Sequence, residues 1–158
     1  MSSLEPTRFV DGRAMLLAGL RRQHSFDTAA ESITAQWQAF RELGPIPHRQ
    51  GAVVYGVMCG ASPENRTFEY MTGVEVAEFD PAAAHLGRMR IPAQHYAVFA
   101  HPGHVSTIHE TWDAIWHGWL PRSGRTPVDG PEFEVYGGGF DPRTGMGGVE
   151  IWSPIQPA

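Results

Sequence analysis

The sequence has one cysteine, a low content of charged residues and no long apolar run, and each shortage excludes a class of protein. A lone Cys59 among 158 residues cannot form an internal disulfide, which is compatible with a reducing compartment. No apolar stretch approaches the roughly 20 residues of a membrane span, and residues 1–5 lack a signal-peptide pattern. With 12 basic against 17 acidic residues, the chain has no electrostatic footprint for nucleic acid. We therefore expect one cytoplasmic globular domain, 1–158, with no direct nucleic-acid or membrane partner.

Metal and cofactor chemistry also lack support in the sequence. His101, His104 and His109 lie close together, but without an HExxH pattern, a partner cysteine or a carboxylate at a standard ligand spacing. We expect no metal or other cofactor, and we expect His101 to form hydrogen bonds in a turn. Gly137-Gly138-Gly139 lacks the spacing and the following helix of a phosphate-binding loop, so a bulge or close packing explains it better.

The chain does contain the same pattern twice. Residues 17–43 align without gaps to 96–122 at an offset of 79, and further matches follow at an offset of 81. The matched pairs are Ala18/Ala97, Thr28/Thr107, Glu31/Glu110, Trp37/Trp116, Phe40/Trp119, Tyr55-Gly56/Tyr136-Gly137 and Glu69/Glu150. The repeats, at about 6–79 and 85–155, fill the chain. A duplicated unit creates a seam between its copies, where small-molecule pockets tend to form.

Each repeat is predicted to be a β-α-β-β module. Both predicted helices begin at a capping-box pattern, Thr28–Glu31 and Thr107–Glu110, and the second is expected to stop at Leu120-Pro121. The predicted strands are 13–22, 51–59, 67–77, 96–100, 132–138 and 148–155, with a further strand within 86–91. The modules, 13–77 and 92–155, should therefore superpose, with Tyr55 and Tyr136 in matching environments.

Seven short motifs follow one another in a fixed order. They are Trp37-x-x-Phe40, Tyr55-Gly56-Val57, Phe68-x-Tyr70-Met71-x-Gly73-x-Glu75-Val76, Ile91-Pro92-Ala93-x-x-Tyr96-Ala97-Val98-Phe99-x-His101-x-Gly103, Trp119-Leu120-Pro121-x-Ser123-Gly124, Phe133-Glu134-x-Tyr136 and Val149-Glu150-Ile151-Trp152-x-Pro154-Ile155. Over about residues 6–155 this order resembles the GyrI-like small-molecule-binding domain, which is also the effector-binding half of many AraC- and MerR-type activators. Each motif alone is weak, and their number and order carry the resemblance.

The resemblance implies an α+β fold: duplicated β-α-β-β modules form one curved antiparallel sheet with two main helices and a pocket at the module seam. Ligands in this family are often amphipathic, aromatic or cationic, and a glutamate matched here by Glu150 commonly faces the pocket. Some standalone members are associated with gyrase inhibition or drug sequestration, and a subgroup hydrolyses strained electrophiles such as cyclopropyl-bearing DNA alkylators. The chain has no room for a helix-turn-helix, so we expect a standalone domain.

The last predicted strand suggests how such a pocket could be lined. Successive side chains of a strand point to opposite faces, so Glu150 and Trp152 share one face. Val149 and Ile151 share the other face, whose apolar side chains suit a core. A carboxylate beside an indole is costly to bury unless something pairs with it. An aromatic cage around one negative charge suits a flat cation. The alternatives for Glu150 are a solvated position and a partner arginine.

The predicted ligand-binding residues come from both repeats. They are Glu150, Trp152, Tyr136, Trp116, Trp37, Tyr55 and Tyr70. Glu69, the repeat partner of Glu150, could share the pocket or be exposed. Tryptophans at helical spacing also suit a core, and we expect Trp112 and Trp119 to pack their helix. Glu75 and Glu134 are interpreted as structural or exposed.

Three functions are compatible with these residues. The first is reversible binding of a small organic ligand, sensing or sequestering a drug or toxin. The second is hydrolysis of a strained electrophile, with Glu150 and Glu69 as the catalytic carboxylates. The third is inhibition of gyrase or of another protein partner, which would use a surface instead of a pocket. The same carboxylates would serve the first two functions, so the sequence leaves open whether the protein is an enzyme.

Overall fold

The structure is a computed structural model that describes residues 4–157, and the chain folds into two compact units. The first module comprises residues 14–92, and the second module comprises the residues up to 13 together with those from 93 onward. The strands are β1 (Arg8–Gly12), β2 (Met15–Ser25), β3 (Arg49–Ser62), β4 (Thr67–Val76), β5 (Gly87–Ile91), β6 (Gln94–Ala100), β7 (Glu132–Tyr136) and β8 (Val149–Pro154). Within residues 4–157, no helix combines the length and the apolar content needed to cross a bilayer.

In the first module, helix α1 (Ala29–Arg41) connects β2 to the hairpin β3–β4. The antiparallel strand order is β3-β4-β2-β5. A short 3-10 turn, Pro81–Ala83, precedes β5. The apolar core on one side of this sheet comprises Ala18, Ile46, Val74, Val76, Ala83 and Leu86.

In the second module, the helical connection between β6 and β7 has several segments. A 3-10 turn (Val105–Thr107) leads into α2 (Ile108–Asp113), a π-helical stretch (Ala114–Trp119) and a last α-helical turn, α3 (Leu120–Ser123). The antiparallel strand order is β1-β6-β8-β7. Trp119 packs edge-on against Phe99 of β6 at 5.0 Å between ring centroids, which places the helical segment on the Phe99 face of the sheet.

The two modules therefore have one topology, and the predicted β-α-β-β duplication in the α+β class is confirmed. In each module, the first strand of the repeat lies between the last strand and an edge strand from outside that repeat. The edge strand is β5 in the first module and β1, which the sequence did not predict, in the second. The sequence repeats, about 6–79 and 85–155, thus differ in their bounds from the compact units. The assignment of 1–158 to a single domain stays a prediction.

Three local predictions are wrong. Both helices begin after the predicted threonines, yet among the described residues neither the Thr28 nor the Thr107 side chain forms a capping hydrogen bond. The second helical segment also continues past Pro121 to Ser123 and ends at Gly124, which has a φ of 71°. Pro121 is tolerated because the π-helical stretch ends just before it, so the proline lies in the first turn of α3, where its missing N–H costs little.

The third error concerns the tyrosines. Gly56 lies opposite Thr72, whose hydroxyl accepts a hydrogen bond from a helix α1 side chain, so the neighbouring Tyr55 is on the sheet face away from α1. Tyr136 lies opposite Val149 and shares a face with Glu134, which is bonded to the helix. The two tyrosines are therefore on opposite kinds of sheet face. The structural repeat follows the offset of 79 for β2, α1 and β4, whereas an offset of 78 relates β3 to β7, so the offset of 81 is coincidental.

Candidate functional site

Two carboxylates of β7 are each bound by an indole of the helical segment of the second module. Trp112 Nε1 donates to Glu134 Oε2 at 2.8 Å, and Trp116 Nε1 donates to Glu132 Oε2 at 2.9 Å. We call these four residues the acid–indole ladder. Its outer pair, Trp116 and Glu132, is partly exposed, whereas in the inner pair Trp112 and Glu134 are each 4% exposed.

The ladder forms because two periodicities match. Residues i and i+2 of a strand lie on one face about 6.7 Å apart, so Glu132 and Glu134 point the same way. Residues i and i+4 of a helix rise by about 6 Å along one side, so Trp112 and Trp116 reach successive carboxylates. The helix runs antiparallel to β7, since the later tryptophan meets the earlier glutamate. The two indole rings lie 5.1 Å apart.

Tyr136 completes the inner end of the site. Its hydroxyl donates to Glu134 Oε1 at 2.8 Å, so each oxygen of this buried carboxylate accepts a bond from an aromatic side chain. Phe140 packs against the Tyr136 ring at 5.1 Å between centroids. An ionised carboxylate is costly to bury unless its charge is compensated. The hydrogen bonds from Trp112 and Tyr136 offset part of this cost.

The outer carboxylate has a different electrostatic environment. Burial raises the pKa of the Glu132 carboxyl above its ordinary value, and the hydrogen bond from Trp116 opposes part of that rise. The two carboxylates are alternate residues of one strand and carry like charges when both ionise. The ladder thus places two carboxyl groups of one strand against two indole rings.

Glu150 and Trp152 lie elsewhere in the second module. They occupy the opposite face of β8 from Ile151, as predicted, and Val149 and Ile151 are buried. Both guanidinium nitrogens of Arg8 donate to Glu150, at 2.6 and 3.1 Å, and Trp152 Nε1 donates to it at 3.3 Å. These bonds, the one from Arg8 first, lower the pKa of the Glu150 carboxyl. Glu150 is therefore in the arginine-paired arrangement that the sequence left as an alternative.

Glu69 is also in an ion pair. Arg21 donates to Glu69 Oε2 through two nitrogens, at 2.7 and 3.0 Å, and the Cys59 thiol lies 3.6 Å from the same oxygen. Burial raises the pKa of that thiol. In the first module, Trp37 packs edge-on against Tyr70, at 6.3 Å between centroids.

The structure thus separates the predicted site residues into several groups. Trp116 belongs to the outer pair of the ladder and Tyr136 lies at its inner end, Glu150 and Trp152 form an arginine-paired cluster, and the others belong to the first module. Of the two interpretations of Glu134, structural or exposed, the exposed one does not apply, because its carboxylate is buried in the ladder. Sequence reasoning also missed Glu132 and treated Trp112 only as packing. The missed signal was the alternation Glu132-x-Glu134-x-Tyr136 in a strand that follows a helix with Trp112-x-x-x-Trp116.

Buried histidines join helix to strand in both modules. His24 Nε2 bonds the Gln36 Oε1 atom at 2.6 Å, and Gln36 Nε2 donates to the backbone oxygens of Leu20 and Tyr70. In the second module, His101 Nδ1 bonds the Thr111 hydroxyl at 2.7 Å. His101 Nε2 bonds the backbone oxygen of His104 at 2.8 Å, which confirms the predicted turn hydrogen bonding. Across residues 4–157, no group of three or more His, Cys, Asp or Glu is arranged to hold a metal ion.

The duplicated β-α-β-β fold is the architecture that the GyrI-like resemblance implied for a small-molecule effector-binding domain. Residues 10–155 match the family model described as Cass2, integron-associated effector binding protein, and the chain belongs to this family.

Individual relatives agree with this assignment. Transcriptional regulator BrlR of Pseudomonas aeruginosa PAO1 is 32% identical over 154 residues, which cover 94% of this chain and 54% of BrlR. The chain therefore spans about half the length of this curated relative. SAV2435, solved bound to tetraphenylphosphonium, is 20% identical with a TM-score of 0.76 over 94% of this chain and 93% of its own. The Vibrio cholerae integron cassette protein is 14% identical, with a TM-score of 0.68 over 98% of each chain. These two likenesses concern the fold.

Proposed function

We propose that this protein reversibly binds amphipathic, aromatic organic cations at the acid–indole ladder, and thereby senses or sequesters them. The observation that carries the proposal is the pairing of two carboxylates of one strand, Glu132 and Glu134, with the indoles of Trp116 and Trp112. A bound aromatic cation would gain both from a carboxylate and from an aromatic face.

The ladder also supplies the aromatic surface that such a ligand needs. Trp116 is partly exposed, so an aromatic ring can stack on its exposed part while the charge of the ligand lies beside Glu132, whose carboxylate binds the same indole. SAV2435, which has a similar fold, was solved with tetraphenylphosphonium, a cation with four phenyl groups. This ligand supports the proposed chemical class and provides a probe whose charge does not titrate.

The other predicted roles have less support. Glu150 and Glu69, the proposed catalytic carboxylates of a hydrolase, are both in arginine ion pairs, an arrangement that favours reversible binding over catalysis. A ligand role for Trp152, Trp37, Tyr55 and Tyr70 stays a prediction, as do a gyrase or other protein partner and a cytoplasmic location.

The proposal can be tested by titrating the protein with tetraphenylphosphonium and following tryptophan fluorescence. We expect quenching in the wild type and a loss of affinity of tenfold or more in Glu134→Gln, because the charge is lost while the amide oxygen can still accept from Trp112 and the amide NH2 can donate to the Tyr136 hydroxyl. The matched control is Glu150→Gln, which removes a carboxylate from the Arg8 ion pair and should change the affinity less than threefold.

Circular dichroism and thermal melting should first show that both variants are folded. The neutral ligand triphenylphosphine oxide should bind wild type and Glu134→Gln with similar affinity. Equal losses for the cation and the neutral compound would show that Glu134 supports the fold and does not recognise charge. A larger loss in Glu150→Gln than in Glu134→Gln would move the site to the Arg8 cluster.

A further inference from the structure

The first module contains an open cavity that has no part in the acid–indole ladder. Its volume is about 490 Å³, within the range of roughly 300–1,000 Å³ that is usual for sites of small organic ligands. The residues that line it all lie between Ala14 and Pro92, the two ends of the first module. The ladder, by contrast, is built from residues of the second module. The cavity is therefore a separate candidate site.

The cavity lies at one end of the first module's sheet, where three strands begin or end. Strand β2 begins at Met15, which lies opposite Ile91, the last residue of β5. Strand β4 ends at Val76, which lies opposite Leu16. All four of these residues line the cavity, so much of its wall is aliphatic. Such a surface favours the apolar part of a ligand, because binding removes both from water.

A bulge in strand β3 forms another part of the wall. The register between β3 and β4 shifts between Arg49 and Val54, so β3 contains extra residues there. Gly51 has a φ of 74°, and Arg49 Nε donates to its backbone oxygen at 3.0 Å, which holds the shape of the bulge. Gln50 lies within this bulge and lines the cavity. Bulges are frequent beside functional sites, where they redirect side chains.

The charged residues of the cavity, Arg90 and Glu75, lie on opposite faces of the sheet. Arg90 is opposite Leu16, whereas Glu75 is opposite Leu17, the next residue of β2. Glu75 is half-buried and already has a partner. Arg90 is exposed, and its guanidinium lies 5.3 Å from the centroid of the Phe79 ring. Within residues 4–157 it forms no ion pair with a carboxylate, so it is available to an anion.

An arginine suits a carboxylate, because its planar guanidinium offers two parallel N–H donors to the two oxygens. We propose that this cavity binds a small amphipathic carboxylate. The anionic group pairs with Arg90, and the apolar body packs against Met15, Leu16 and Ile91. This ligand is opposite in charge to the cation proposed for the ladder. The inference therefore goes beyond the proposed function and does not depend on it.

Calorimetric titration with 2-naphthoate at pH 7 tests this inference, and the neutral 2-naphthamide is the matched ligand. We expect wild type to bind naphthoate at least tenfold more tightly than naphthamide. Arg90→Gln should remove this preference by weakening naphthoate binding tenfold or more, because the ion pair is lost.

Arg88→Gln is the matched control variant. Arg88 is exposed on the same face of β5 as Arg90 and lies 5.2 Å from the Phe79 ring centroid, but it does not line the cavity. This variant should change the affinity for naphthoate less than threefold. Thermal melting should first show that both variants are folded.

Methionine methyl NMR shows where the ligand binds. Naphthoate should shift the methyl signal of Met15, assigned with Met15→Leu, because the aromatic ring lies against this side chain. The signal of Met146, which belongs to the second module, should stay unchanged.

Several results would refute the inference. Naphthoate could fail to bind the folded wild type, or could bind no more tightly than naphthamide, which would show that the cavity does not recognise a carboxylate. Equal losses in Arg88→Gln and Arg90→Gln would indicate general attraction to a positive surface. A shift of Met146 without one of Met15 would place the ligand outside the cavity. Tetraphenylphosphonium binding is measured separately, so none of these results bears on the ladder.

Discussion

Helix α1 of the first module and the helical segment of the second occupy the same place in the repeat, but they use polar groups for different purposes. Gln36, at the centre of α1, is fully buried and bonds His24 and two backbone oxygens of the sheet. The residue 79 positions later is Ile115, also fully buried. The first module thus has a polar network in the middle of its helix–sheet interface, where the second has an aliphatic contact.

In the strand that bears the ladder, by contrast, the second module has the charged side chains and the first module does not. Thr72 corresponds to Ile151 at the offset of 79, and these residues lie opposite Gly56 and Glu134 respectively. The first-module positions that match Glu132, Glu134 and Tyr136 are therefore Val54, Gly56 and Met58. Trp37 matches Trp116, so the first module has an indole at this helix position but no acid at the matching strand positions. If the proposed function holds, the second module carries the charged site and the first does not.

The largest expected effect on stability comes from the polar network. Gln36→Leu should lower the free energy of unfolding by about 2–4 kcal/mol, because it leaves a buried donor of His24 and the Leu20 and Tyr70 carbonyls without their partner. Urea denaturation measures this loss. The control Gln38→Leu, at an exposed position of the same helix, should cost less than about 0.5 kcal/mol. Similar values for the two variants would contradict a structural role for the network.

The ladder should contribute less to stability. Trp112→Phe keeps an aromatic ring but removes the indole N–H from Glu134, so we expect a loss of about 1–3 kcal/mol and weaker tetraphenylphosphonium binding. Trp119→Phe is the matched control, since that indole packs on Phe99 and lies outside the ladder. Thermal melts and fluorescence titrations measure the two effects. A larger loss of cation affinity in Trp119→Phe would argue against the ladder as the site.

The Arg8–Glu150 ion pair on the surface of the second module should contribute little to the free energy of unfolding. Arg8→Ala, which breaks the pair with Glu150, should cost about 0.5 kcal/mol at pH 7, because both groups are substantially exposed. The folded-state pKa of Glu150 is lowered, so this contribution is complete above the ordinary carboxyl pKa and is lost as the pH falls through the folded value. Denaturation over a series of pH values should therefore give the full difference between variant and wild type at pH 7 and a decreasing one as the pH falls below the ordinary carboxyl pKa.

The smallest effect is expected at the helix starts. Thr28→Ala and Thr107→Ala should each change the unfolding free energy by less than about 0.5 kcal/mol, compared with about 1 kcal/mol for a threonine whose side chain caps a helix. Differential scanning calorimetry on both variants would measure this. A loss of about 1 kcal/mol in either variant would show that its threonine caps the helix in solution.

Much of the fold could be predicted because it depends on local patterns. The alternation in Val149–Trp152 and the spacing of Trp112, Ile115 and Trp119 correctly indicated strand and helix faces. Strand β1 was missed since its five residues form an edge whose exposed side chains leave little periodicity. The site was harder to predict: Glu134 looked exposed, and only the pairing of β7 with a particular helix turn shows that it is buried. Contacts between elements distant in sequence determine that pairing.

The division of the chain determines when each module can form its sheet during protein synthesis. The first module is continuous, so all four of its strands exist once Ile91 of β5 has been made. Strand β1 is made before these four strands, but its partner β6 follows more than 80 residues later, from Gln94 onward. At a translation rate of roughly 5–20 residues per second, several seconds pass before β6 is available to pair with β1. Arg8 and Asp11 give β1 charges of both signs, and charged side chains on an edge strand disfavour its pairing with other chains.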